Sequence, residues 1–165
     1  MNFGFSNHYS FFTHWRMEGD IAEIYTLISN PLDYPNWWKN VCFQVEELEP
    51  GDKRKLGQVI RFQLKAALPY VLKWQAKSTE LNKPYGFTSE VTGDLVGLGV
   101  WSFKQDGSWV DITFNWEVAV EKPFLRFFSF FLRPVFNWNH NWVMKKWEES
   151  LRSELRSRRR SKVTL

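Results

Sequence analysis

The sequence predicts an α+β fold, an antiparallel sheet with one face in water and the other covered by helices from the two ends of the chain. Three observations carry this. Between Cys42 and about Val120, apolar and polar residues alternate with a period of two through a series of segments. After Pro123 the apolar period lengthens to about 3.6, that of a helix. Between the first strand and the alternating region lies a stretch with the marks of two short helices.

The first strand runs from His8 to Glu18, with Phe11, Thr13, Trp15 and Met17 on one face and Phe12, His14, Arg16 and Glu18 on the wetter one. Asp20 then opens DIAEIYTLISN. With Glu23 three residues on, it forms a capping-box pattern, and Ile21, Ile24, Tyr25 and Ile28 make the buried stripe. Asn30-Pro31 ends this helix, because the residue before proline is pushed out of the α region. Leu32 to Lys39 reads as a second short helix or turn. Turn signals divide the alternating region at Pro50-Gly51-Asp52, Asn82 to Gly86, Gly97 to Gly99 and Asp106-Gly107-Ser108. Between them the apolar parity holds Ile60, Phe62 and Leu64, then Tyr70, Leu72, Trp74 and Ala76, then Phe87, Val91 and Leu95. Trp101 and Phe103 follow, and the parity ends with Val110, Ile112, Phe114, Trp116 and Val118. About six or seven strands result. The register is well fixed, because a one-residue slip would turn lysines and glutamates inward. In the last helix Phe136, His140, Val143, Trp147 and Leu151 form one stripe with Met144 beside it, and the helix reaches Leu155 before the arginines take over.

Ten tryptophans in 165 residues exceed what a core of this size needs. Rigid aromatics at matching depths on a sheet and a facing helix suit the wall of an apolar cavity, and they equally suit a solid core. The length fits one domain, spanning 1–156, with 157–165 as a disordered basic tail. Six basic residues and Glu154 lie between Arg152 and Lys162; this net +5 leaves the rest of the +4 chain at −1. The basicity therefore belongs to the tail, which argues against a nucleic-acid-binding face on the domain. The tail itself is either a solvated terminus or a contact for phosphates and anionic lipid. Cys42, the only cysteine, excludes an internal disulfide and reads as a buried, inert thiol. The N-terminus has no basic segment followed by an apolar run, so no secretory leader is expected. No stretch is apolar enough to span a bilayer. A cytoplasmic, reducing setting fits these features.

Three segments bear a family resemblance: Pro35-Asn36-Trp37-Trp38, Gly93 to Trp101, and Phe136-Asn137-Trp138-Asn139-His140-Asn141-Trp142-Val143-Met144. With the element order, they make the chain from Tyr9 to Leu155 resemble the START/Bet v 1-like superfamily, its polyketide cyclase/dehydrase and lipid-transport branch (SRPBCC proteins) in particular. The resemblance implies a helix-grip fold and the binding of hydrophobic ligands, but no single reaction. Trp147 stands where relatives have a small glycine. A large indole there is expected to hold the cavity to the lower half of the usual range of roughly 300–1,000 Å³.

Ligand-binding walls are expected from Trp15, Phe62, Leu72, Trp74, Trp101, Phe103, Trp116, Met144 and Trp147, with His140 as the polar handle and the one catalytic candidate. A lone histidine on an apolar face is more often a packed imidazole bonded to backbone, and both readings stand. Asn139, off the stripe, is expected to bond neighbouring backbone. His8 and His14 fall on the outer face, and Glu46, Glu47 and Glu49 read as solvated; Glu80 is expected at the cavity mouth or exposed. No metal site or cofactor is expected, and no paired carboxylates, phosphate loop or nucleophile elbow is present. A cyclase would have to rely on cavity shape, with His140 or Tyr70 polarising the substrate. Pro123 to Phe136 carries five phenylalanines up to Phe131 and a sixth at Phe136, with Arg126 and Arg133 among them. It reads as ordinary packing, a lid, a dimer surface or a peripheral membrane contact acting with the basic tail. The reading that best fits is binding of a lipid, polyketide or quinone-like molecule between sheet and helix. A cyclase/dehydratase and a membrane-surface carrier of lipid or quinone are the alternatives.

Overall fold

Alternation produces long paired strands, with register shifts between Cys42 and Gln44, Glu47 and Glu49, and Ser78 and Glu80. In the computed structural model, which describes residues 8–39, 41–65, 71–121 and 123–163, these strands join in one antiparallel sheet. They are β1 (His8–Glu18), β2 (Cys42–Glu49), β3 (Val59–Lys65), β4 (Val71–Asn82), β5 (Gly86–Gly93), β6 (Leu95–Asp106) and β7 (Trp109–Val120). Their order is β1-β7-β6-β5-β4-β3-β2, so consecutive strands are neighbours except that β1 closes onto β7. The helices are α1 (Ile21–Ile28), α2 (Tyr34–Trp37), preceded by a 3-10 turn at Pro31–Asp33, and α3 (Pro123–Val163). This curved sheet with a long C-terminal helix and short helices after the first strand is the helix-grip α+β fold.

The local chemistry anticipated from the sequence sets the joints. Asp20 caps α1, its Oδ1 accepting from the Ala22 and Glu23 amides at 2.9 and 3.1 Å. Gln105 ties the start of α1 to the β6–β7 turn. Its Oε1 accepts from the Ile21 amide at 2.8 Å, and its Nε2 donates to the carbonyls of Gly19, Gly107 and Trp109. The Tyr34 hydroxyl, fully buried, donates to the Ile28 carbonyl and fastens the 3-10 turn under α1.

Two expectations are corrected. Gly97 to Gly99 is not a turn but lies inside β6, and the chain reverses at Asp94 instead, after Gly93 with φ +118. The glycines of β6 serve close approach. A Cβ on Gly97 would lie 2.0 Å from the Glu117 carbonyl oxygen, and one on Gly99 would lie 2.9 Å from the Trp116 ring. Nor does the last helix end at Leu155, since α3 continues to Val163. Arginine is a good helix former, and the tail's arginines find partners. Arg158 bridges Glu154 at 2.7 Å and Asp33 at 2.9 Å, while Arg159 donates to the Glu18 carbonyl at 2.7 Å. The 41 residues of α3 extend over about 60 Å. Pro134 interrupts its hydrogen-bond ladder at one point. Among the described residues no helix is long and apolar enough to cross a membrane. In Pro123 to Phe136 the backbone is helical, but the side chains of residues 123–133 lie outside the described residues, and with them most of the phenylalanine run.

The dry side of the sheet has two parts. At one end Trp15, Ile112 and Phe103 share a cross-strand row, and Met17, Val110, Ile24 and Leu151 pack solidly around it. From this, Leu151→Ala is expected to cost about 3 kcal/mol in urea denaturation, because Leu151 is fully buried and its neighbours cannot collapse into the gap. Arg158→Ala, at a half-buried pair still reached by solvent, is expected to cost about 1 kcal/mol, an effect that shrinks with added salt.

Candidate functional site

Beyond the solid end, the space between sheet and helix is open. A chamber of about 1030 Å³ lies there, so the expectation of a small cavity is overturned. Trp147 does not fill it because the indole turns into the packed end. Its ring lies 4.9 Å from Trp101, 5.0 Å from Trp38, 5.4 Å from Tyr34 and 5.7 Å from Trp15, centroid to centroid. It closes one end of the chamber as a wall.

The volume comes from small side chains at inward positions. One cross-strand row runs Ser78, Ser89, Gly99, Trp116, Phe11, and the neighbouring row runs Ala76, Val91, Gly97, Val118, Tyr9. Serine, alanine and glycine in the middle of the sheet leave a hollow that the aromatics surround. Trp101 stacks on Phe114 at 4.1 Å and Phe62 on Trp74 at 5.6 Å, so the walls are rings braced by rings.

Of the ten residues expected to bind ligand, eight line this chamber: Phe62, Leu72, Trp74, Trp101, Trp116, His140, Met144 and Trp147. Trp15 and Phe103 do not. Their parity is right but their depth is not, because both belong to the row of Ile112 in the solid end. Tyr70 lies outside the described residues. His8 and His14 are exposed on the outer face of β1, His14 bonded to Asp111 at 3.0 Å. Cys42 is buried, and burial pushes its thiol up to about 12, which keeps it protonated and inert.

His140 stacks on Phe11 with centroids 3.9 Å apart and planes 14° from parallel. Burial lowers its pKa from 6.5 to about 4, so the imidazole is neutral at physiological pH. Among the described residues its buried Nε2 has no hydrogen-bond partner. Asn139 differs from expectation. It lines the chamber at 7% exposure rather than sitting off the stripe, and its buried Oδ1 likewise has no partner among the described residues. Asn139 is three residues after Phe136 and four before Val143, spacings that place it on the flank of the inward stripe. The indole nitrogens of Trp38 and Trp147 are also buried without an acceptor among these residues. Tyr25, whose phenol pKa is raised by burial, lines the chamber and packs edge-on against Phe87 with centroids 5.9 Å apart.

The chamber opens to solvent where the β2–β3 loop, the end of β4 and the β4–β5 turn meet. Lys53, Arg54, Lys55, Glu80, Asn82 and Lys83 are exposed there and line the opening. Glu80 is thus at the mouth, where its Oε2 accepts from the Thr88 hydroxyl at 3.2 Å.

No family model matches the sequence, and no curated protein matches it either. Solved structures do. A START superfamily protein from Mycobacterium smegmatis superposes with a TM-score of 0.71 at 8% identity, covering 90% of this chain and 97% of the other. The ZhuI aromatase/cyclase from Streptomyces sp. R1128 gives 0.69 at 14% identity, with 92% and 95% covered. A point mutant of norcoclaurine synthase from Thalictrum flavum, in complex with a transition-state analogue, gives 0.63 at 10% identity, with 92% and 96% covered. At such identities the likeness is one of fold, and the fold of this chain is the helix grip of START/Bet v 1-like proteins.

Proposed function

We propose that the chain binds a hydrophobic small molecule, of lipid, polyketide or quinone-like type, in the chamber between the curved sheet and α3. The observation that carries this is a hollow of about 1030 Å³, walled by aromatics and lined at its exposed side by polar residues. Named structural neighbours that are a START protein, an aromatase/cyclase and a norcoclaurine synthase support the same reading. Eight residues expected from the sequence and lining the hollow form the proposed binding surface, joined by Asn139.

Asn139 Oδ1 and His140 Nε2 favour a ligand that carries oxygen over a plain hydrocarbon. A buried polar atom without a partner costs about 1–3 kcal/mol. A side-chain rotation that turns either atom toward the chamber would let a ligand hydroxyl or carbonyl remove that cost. A neutral imidazole can accept or donate one hydrogen bond, which suits an uncharged oxygen. The same pair supports a second reading, a cyclase or dehydratase in which His140 polarises a bound substrate while the walls hold its reactive shape.

Ala76→Phe places a ring in the hollow without touching the backbone, and it is expected to weaken binding of a neutral apolar dye at least about tenfold with the circular dichroism spectrum unchanged. Affinity within a factor of two of wild type would show that the dye binds elsewhere. His140→Phe keeps the stack on Phe11 and removes Nε2. Affinity for a hydroxylated ligand is expected to fall about fivefold, one net hydrogen bond, while a cyclase would keep its affinity and lose turnover. The same variant tests the buried imidazole. The unfolded chain takes up a proton near 6.5 and the folded one only near 4, so wild type loses stability as pH falls through that window. Measured at pH 7 and pH 4, the loss is expected to be on the order of 3 kcal/mol smaller in His140→Phe.

A further inference from the structure

The mouth of the chamber is basic, a second cluster of positive charge apart from the one at the end of α3. Four cations line it, Lys53, Arg54, Lys55 and Lys83, against one lining carboxylate, Glu80, among the described residues. Three of the four are held by a built turn. Asp52 Oδ1 accepts from the Arg54 and Leu56 amides at 2.8 and 2.9 Å, and the Asp52 amide donates back to the Leu56 carbonyl at 2.8 Å. The Gly57 amide donates to the Ser78 carbonyl at 2.8 Å, which anchors the turn to β4. Lys55 adopts φ +72, a left-handed conformation that a lysine takes at a cost and that glycine or asparagine would take more readily. Two of the cations are partly neutralised, Lys55 by Glu47 at 3.3 Å and Arg54 by Asp52 at 3.6 Å. Lys53 and Lys83, on the β2–β3 loop and the β4–β5 turn, have no carboxylate within ion-pair distance among the described residues.

We propose that the ligand is an acidic amphiphile: its apolar body lies in the chamber and its anionic group, a carboxylate or a phosphate, sits at the mouth against Lys53 and Lys83. This rests on the chamber holding an apolar molecule. The arrangement suits such a ligand because the charge stays in water, where it keeps its hydration, while the body is buried. Exposed ion contacts are individually weak, so their effect is to orient the ligand, head outward, more than to hold it. The fold also gives a length. From Ser78 beside the mouth to Phe11 beneath His140 the row Ser78, Ser89, Gly99, Trp116, Phe11 crosses four inter-strand steps, roughly 19 Å along the arc of the sheet. A ligand spanning that arc has its head at the cations and its far end at the Asn139–His140 pair.

The test uses the full-length chain loaded with Nile red, a neutral apolar dye, and displaces it with three probes of one chain length: hexadecanol, hexadecanoate and hexadecyl phosphate. At least one anionic probe is expected to bind about tenfold more tightly than the alcohol, with the advantage shrinking at high salt. The double variant Lys53→Gln/Lys83→Gln is expected to lose most of that advantage and to bind the alcohol as wild type does; both side chains are exposed, so the fold is retained. A preference for hexadecanoate identifies a free carboxylic acid as the ligand type, and a preference for hexadecyl phosphate a phosphorylated lipid. Equal affinity for alcohol and acids overturns the acidic head and leaves apolar binding standing. An anionic advantage that survives in the double variant overturns the assignment to the mouth. No displacement of bound dye by any probe, or no dye binding, overturns the apolar reading and this one with it.

Discussion

The packing of Trp147 is the contact on which the rest of the structure depends. One indole from α3 meets β1 through Trp15, β6 through Trp101 and the α1–β2 segment through Tyr34 and Trp38. A helix laid along a curved sheet can slide or roll until something large and rigid fixes it. Here that piece also fixes what lies above it. Met144 and Val143 sit one turn back and His140 and Asn139 two turns back, so the same lock sets which side chains face the hollow.

With the helix fixed, the sheet decides where matter is missing. Large residues crowd the row of Ile112 and the next row of Phe114, Trp101 and Phe87, and small ones occupy the middle of the two rows beyond, so a solid core passes into a chamber within one sheet. At the edge of the chamber the β4–β5 pairing shifts register between Ser78 and Glu80. The mouth is treated differently: its cations sit on turns, in water, where charge is tolerated. Apolar walls, a neutral imidazole and an exposed basic rim thus follow one gradient of polarity from inside to outside.

Most of the fold was legible in the sequence because a period of two admits one register, and the parity of Phe62, Trp74, Trp101 and Trp116 placed each on the dry side. Parity gives the face but not the height, which is why Trp15 and Phe103 read as walls and are core. Gly97 to Gly99 read as a turn because glycine marks both reversals and close approach. Only the position of Trp116 across the sheet, a non-local fact, separates the two. Asn139 was missed because it lies on the flank of the inward stripe, and the helical wheel says nothing of how far the chamber reaches. The end of α3 was missed because Asp33 and the Glu18 carbonyl, which hold Arg158 and Arg159, are more than a hundred residues away in sequence. The cations of the mouth were visible as letters but not as one rim, since Lys53 and Lys83 come to line the same opening only once the strands are paired.

Because the hollow is made by side chains that are absent, its size is an inheritable variable separate from the fold. Ala76, Ser78 and Ser89 contribute backbone to the sheet whatever they carry, and their pairing partners do not depend on their bulk. Exchanging one of them resizes the chamber in steps of a few atoms while the register, the Trp147 lock and the solid end stay as they are. On the proposed function, a descendant of this chain can drift from one bound molecule to another by single substitutions, each leaving a folded protein behind it.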